Sequence, residues 1–219
     1  MTPHQGRTAR TAATAGIHRI CRLGLVNEYL VAEDDGLTLI DTGLPGTHRL
    51  IIARAARLGM PIRRVALTHA HRDHVGSLAA LAAALPGVQL IASEHESKLP
   101  SADRTPRRVT DGDLVGSLRV VAAHGHTQGH LAFLDPRDGT LYAGDAYTTT
   151  RGVATSAVVP WHYPMAGLAT WNRELAFEAA TRLRDLDPGR LATGHGPVVG
   201  APRKAMDRAI AAAAARLRR

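Results

Sequence analysis

The chain has 219 residues, 45% of them apolar, with a formal net charge of +8 at pH 7 and a single cysteine, Cys21. No apolar run approaches the length of a membrane-spanning helix, and one cysteine excludes an internal disulfide and fits a reducing compartment. Apart from Lys98 and Lys204 the positive side chains are arginines, scattered except for short pairs and the tail Arg216-Leu217-Arg218-Arg219, a pattern of solvated basic surface rather than of a nucleic-acid track.

Residues 1–16 are Thr-, Ala- and Arg-rich, without periodicity or the apolar core of a secretory signal. They are expected to form a flexible arm before one domain over residues 17–219, in a cytoplasmic monomer or homodimer. Alternation and turn residues predict strands at 17–22, 26–33 and 37–41, with Asp34-Asp35-Gly36 as a turn. A helix over 47–58 ends at Gly59, and a buried strand follows at 62–67. An alanine- and leucine-rich helix over 75–85 stops at Pro86-Gly87, before a strand at 88–92. Ser93-Glu94-His95-Glu96 has a capping-box pattern and predicts a short helix. Strands at 107–110, 117–122, 130–134 and 140–143 lead to a helix over 167–185, a strand at 190–192 and a final helix over 202–217. Hairpins closed by helices in each half predict an α/β fold of four layers.

Thr68-His69-Ala70-His71-Arg72-Asp73-His74 places three imidazoles and one carboxylate within six residues, directly after an apolar strand. Nitrogen and oxygen donors of this kind suit zinc and its first-row neighbours. Two histidines one residue apart turn the same way on an extended backbone, while Asp73 and His74 diverge as a helix begins. One loop can thus serve two metal ions. Further donors stand in His124-Gly125-His126-Thr127-Gln128-Gly129-His130, in Gly144-Asp145 and in Gly194-His195-Gly196, each after a strand-like run. Glycines beside donors allow close backbone approach. From the residues alone, His124 and His130 remain alternatives to His126. Asp41 ends an apolar strand, where an unpaired charge is costly.

The succession HxHxDH, GHTxGH, GDxY and TGHGP, after the opening hairpin Val26-Asn27-Glu28-Tyr29-Leu30-Val31 and Leu37-Thr38-Leu39-Ile40-Asp41-Thr42-Gly43, resembles the metallo-β-lactamase-fold hydrolases over most of the chain. The resemblance implies a four-layer αββα sandwich and a dinuclear centre, with two Zn²⁺ expected and iron or manganese as alternatives. His69, His71 and His126 would hold one ion, Asp73, His74 and His195 the other, with Asp145 bridging. Asp41 would support the site by accepting a hydrogen bond from a ligand histidine. A carboxylate at the bridging position resembles the glyoxalase II and lactonase branches, since class B1 and B2 β-lactamases place a cysteine in that role.

The expected activity is hydrolysis of a small ester, lactone or thioester by metal-activated water, with Asp73 or Asp145 shuttling a proton. An iron-dependent persulfide dioxygenase and β-lactam hydrolysis on the same ligands are the alternatives, and a non-catalytic metal-binding domain is a third. The family's lactonases carry a tyrosine three residues after the bridging aspartate, whereas here Tyr147 comes two after Asp145. Few residues follow His195, which disfavours a glutathione-gripping helical domain. Tyr147, Trp161, His162 and Tyr163, in a loop over 147–165, are expected to wall the substrate pocket, with Trp171 close behind.

Overall fold

The computed structural model describes residues 17–96, 99, 104–161 and 163–218. The arm at 1–16 and His162 lie outside the described residues. Strands β1 (His18–Arg22), β2 (Val26–Glu33), β3 (Gly36–Ile40), β4 (Ile62–Ala66), β5 (Gln89–Ser93) and β6 (Arg107–Val109) form one sheet in that spatial order. Its β3-β4-β5-β6 part is parallel. The second sheet has the order β14 (Val199–Gly200), β13 (Arg190–Thr193), β10 (Thr140–Gly144), β9 (Leu131–Asp135), β8 (Leu118–Ala122), β7 (Leu114–Val115). A small hairpin pairs β11 (Tyr147–Thr148) with β12 (Ala154–Thr155).

Period-two alternation sorts the strand residues into layers. Tyr29, Val31, Ile40, Ala66 and Ile91 of the first sheet meet Leu118, Val120, Leu131, Phe133 and Tyr142 of the second in one core between the sheets. Their neighbours Leu30, Leu39, Val65 and Leu90 face outward to Ile51 and Ala55 of α1 (His48–Leu58) and to Leu78 and Leu81 of α3 (Leu78–Ala84). On the far side, Val121, Ala132, Leu141 and Leu191 pack on Ala180 and Leu183 of α5 (Arg173–Asp185) and Met206 of α6 (Arg203–Leu217). The result is the αββα sandwich. Among the described residues no helix is long and apolar enough to cross a membrane.

Three segments depart from the sequence expectation. The helix expected over 75–85 begins only at Leu78, as α3, and a separate short helix, α2 (Arg72–Val75), precedes it and carries Asp73 and His74. The helix expected over 167–185 is broken between α4 (Met165–Leu168) and α5. At the break Trp171 N–H donates to the His126 carbonyl and Asn172 N–H to that of Gly125. The Asn172 side chain then caps α5 by accepting from Leu175 N–H at 3.0 Å. Ser93 to Glu96 forms no helix. Ser93 closes β5, its hydroxyl accepts from His95 N–H, and the Glu96 side chain binds Thr127 in place of the expected cap.

Candidate metal centre

All the donors lie at the C-terminal ends of strands, on one rim of the sandwich. The loop after β4 carries Thr68, His69 and His71, and α2 adds Asp73 and His74. His126 follows β8, Asp145 follows β10, His195 follows β13 and Asp41 follows β3. Three overlapping sets have ligand atoms within 4.8 Å of one another: His69, His71 and His126; His69, His74 and Asp145; Asp73, His74 and His195. His71 Nδ1 and His126 Nε2 are 3.0 Å apart. Asp145 stands between the sets, with Oδ2 3.5 Å from His126 Nε2 and 3.2 Å from His195 Nε2. Its Oδ1 is 3.4 Å from His74 Nε2. Gly194 makes this approach feasible, because a Cβ there would fall 2.4 Å from Asp145 Oδ1 and 2.5 Å from His74 Cε1.

Each buried imidazole is oriented by the nitrogen that faces away from the centre. His74 Nδ1–H donates to Asp41 Oδ2 at 2.8 Å, and His195 Nδ1–H donates to the Leu25 carbonyl at 2.8 Å. Thr68 Oγ1 donates to Asp41 Oδ2 and so accepts from His69 Nδ1–H. Thr170 Oγ1 donates to the Ala166 carbonyl and accepts from His126 Nδ1–H. These bonds fix tautomers that present Nε2 inward, the arrangement metal-ligating histidines need. Asp41 also accepts from Thr68 N–H and is held at φ 58°, a strained backbone for a non-glycine residue.

The electrostatics separate the donors. Burial holds His69 well below the usual imidazole range and His126 down to about 4. Burial also opposes charge on His74 and His195. There the carboxylates outweigh it, Asp145 and Asp41 holding His74 well above the usual range and Asp145 lifting His195 to about 10. Burial would raise the Asp145 carboxyl, but His195 and His74 hold it well below the carboxylate range.

The buried atoms His69 Nε2, His74 Nε2 and Asp145 Oδ1 have no hydrogen-bond partner among the described residues. Buried polar atoms without partners are costly, and these point into the donor cluster. A set of imidazole nitrogens and carboxylate oxygens converging in this way fits divalent metal ions.

The expected pocket walls divide. Tyr163 lies at the site, its ring 5.1 Å from that of His195. Tyr147 does not. It is fully buried against α5, and its hydroxyl donates to the Ala180 carbonyl at 2.7 Å. Trp161 is 82% exposed and lines a separate groove with Arg208 and Arg216 of α6. His124 falls outside the three sets and meets the His95 ring edge to face, with centroids 5.4 Å apart. His130 is buried behind the centre, where its Nε2 accepts from Asp145 N–H at 3.1 Å. Sequence reasoning passed over Thr68, Thr170 and the Leu25 carbonyl. A hydroxyl beside a ligand signals Thr68, but nothing local marks the other two. It also passed over Glu96, which with His71, His126, Thr127 and Trp171 lines a cavity of about 390 Å³ beside the first set.

An αββα sandwich carrying histidines and aspartates on one rim defines a class of metal-site proteins. The family model described as the metallo-beta-lactamase superfamily matches residues 21–195, and the chain belongs to that superfamily. It is 40% identical over 207 residues to the uncharacterized protein YobT of Bacillus subtilis (strain 168), covering 84% of this chain and 89% of that protein. The hydroxyacylglutathione hydrolase of Aeromonas salmonicida (strain A449) is 31% identical over 121 residues, 53% of this chain and 44% of that enzyme. The chain therefore aligns with under half the length of that relative. Among solved structures, TTHA1623 in a di-iron-bound form superposes with a TM-score of 0.66 at 27% identity, covering 84% of this chain and 94% of that one.

Proposed function

We propose that this protein is a dinuclear metal-dependent hydrolase of a small ester, lactone or thioester, with zinc as the first candidate metal. The observation that carries the reading is the convergence of overlapping donor groups on His69 Nε2, His74 Nε2 and Asp145 Oδ1, buried atoms that make no hydrogen bond among the described residues. His69, His71 and His126 would hold one ion and Asp73, His74 and His195 the other, with Asp145 between them. Bound there, such ions supply Lewis acidity toward a carbonyl oxygen and bring the pKa of water near neutrality.

The chain's own residues have distinct tasks. Thr68, Thr170, Asp41 and the Leu25 carbonyl keep the imidazoles in one tautomer. Asp145, with its side chain 5% exposed, fixes the spacing of the two groups. Asp73, with its side chain 35% exposed and 3.4 Å from His195 Nε2, is the carboxylate that can pass a proton to the leaving group. Likeness to a hydroxyacylglutathione hydrolase supports acyl transfer to water, and likeness to a di-iron-bound structure supports a two-metal site and keeps iron in view.

The test is metal quantification on the purified protein, followed by assay of zinc-, iron- and manganese-loaded forms on lactones, thioesters and β-lactams. Two ions per chain and ester, lactone or thioester hydrolysis lost in Asp145→Ala are expected. Oxygen consumption by the iron form without hydrolysis would replace this reading with an oxygenase.

A further inference from the structure

The cavity beside His71 and His126 has one charged wall residue other than histidine among the described residues, Glu96. Glu96 is 7% exposed, and Thr127 Oγ1 donates to its Oε2 at 2.8 Å. No described arginine or lysine pairs with its carboxylate. Arg108 Nη1 donates to the Ser93 and Glu96 backbone carbonyls instead.

The base of this residue is also seated tightly. Gly129 packs so close that a Cβ there would lie 2.6 Å from Glu96 N and 2.9 Å from Glu96 Cβ. Trp171 lines the same cavity, its backbone N–H anchored on the His126 carbonyl at 3.0 Å. Among the described residues this buried carboxylate has no cationic partner, which is costly, and a carboxylate that shares a cavity with an indole can receive an alkylammonium group. An anionic tail would meet the Glu96 charge with no described cation to offset it.

We infer that the substrate carries a positively charged, amine-type tail that seats against Glu96 and Trp171 while its carbonyl lies at the His69–His71–His126 group. The inference rests on the hydrolase reading above and adds a substrate class to it.

The probes are p-nitrophenyl esters of three acyl chains matched in length and ending in trimethylammonium, tert-butyl or carboxylate. For the metal-loaded wild type, kcat/KM is expected to be roughly tenfold higher for trimethylammonium than for its tert-butyl isostere, and lowest for carboxylate. Glu96→Gln should bring the ammonium to tert-butyl ratio close to one, and Trp171→Leu should lower it in part, both at wild-type metal content and melting temperature. Non-hydrolysable amides with the same three ends, titrated calorimetrically, give a readout independent of turnover and should follow the same order. Ester cleavage without charge order, or a preference for carboxylate, overturns the inference and leaves the hydrolase intact. Charge-ordered amide binding with no ester cleaved supports the Glu96 receptor and overturns the hydrolase. Binding of the amides without charge order overturns the inference whatever the esters do.

Discussion

The two donor groups of the rim are built on opposite electrostatic plans. His69 and His126 are buried beside other imidazoles and anchored on threonine hydroxyls, so they stay neutral. His74 and His195 are buried beside carboxylates, which outweigh burial and favour positive charge in their place. The first group opens onto a cavity, where His71 is half-buried, whereas Gly194 packs directly over His74 and Asp145. The contrast assigns the acidic half to holding cationic charge and the open half to meeting substrate.

Asp145 belongs to both halves, so its loss should have the largest effect. Asp145→Ala is expected to lower turnover by roughly 10³-fold or more and to reduce metal content, measured by elemental analysis of the same preparation. Chelation should come next. Ligands from four separate loops make bound metal favour the native state, so complete removal should lower the melting temperature by about 10 °C. An unchanged melting curve after verified removal would show that neither half holds a metal.

Beneath the acidic half lies a further buried carboxyl, Glu28, whose oxygens have no partner among the described residues. Burial, against the pull of His74 and helped by Asp41, lifts it from 4.5 to about 8. The folded state therefore holds this proton more tightly than the unfolded chain. The stability linked to it is complete below pH 4.5 and is lost as pH rises through about 8. Relative to wild type, Glu28→Gln should gain stability across that window, by an amount of the order of a few kcal/mol, read from denaturant melts at both ends.

Smaller effects should come from the two kinds of anchor. Asp41→Asn replaces a carboxylate that accepts from His74 and twice from Thr68, and should weaken metal affinity at the acidic half by roughly 10–100-fold. Thr170→Val removes only a hydroxyl from His126, and a severalfold loss confined to the open half is expected, read by competition with a chromophoric chelator. Equal losses in the two variants would dissolve the distinction between the halves.

Much of this was readable from local pattern. The strand at 26–33, the apolar buried strand expected at 62–67 and found at 62–66, and the helix ending at the left-handed cap Gly59 are specified by neighbouring residues. The spacing of HxHxDH likewise needs only local backbone geometry. Tyr147 was misjudged because nearness in sequence to Asp145 says nothing of direction. The chain turns at Ala146, whose N–H donates to the Ala143 carbonyl, and the ring enters the core under α5. The helix break before Asn172 was invisible because its cause, the carbonyls of Gly125 and His126, lies more than forty residues away.

By itself, then, the order of residues determined the layers and narrowed the candidate donors to a few short motifs, with His124 and His130 still beside His126, since periodicity and ligand chemistry are properties of short segments. Only the folded molecule decided which nitrogen each histidine turns inward, where α5 begins and which side chains border the open half. Those outcomes depend on hydrogen bonds accepted by Leu25, Asp41, Glu96, Thr170 and the carbonyls of Gly125 and His126, and only the packing of the two sheets and their helices brings these to the rim.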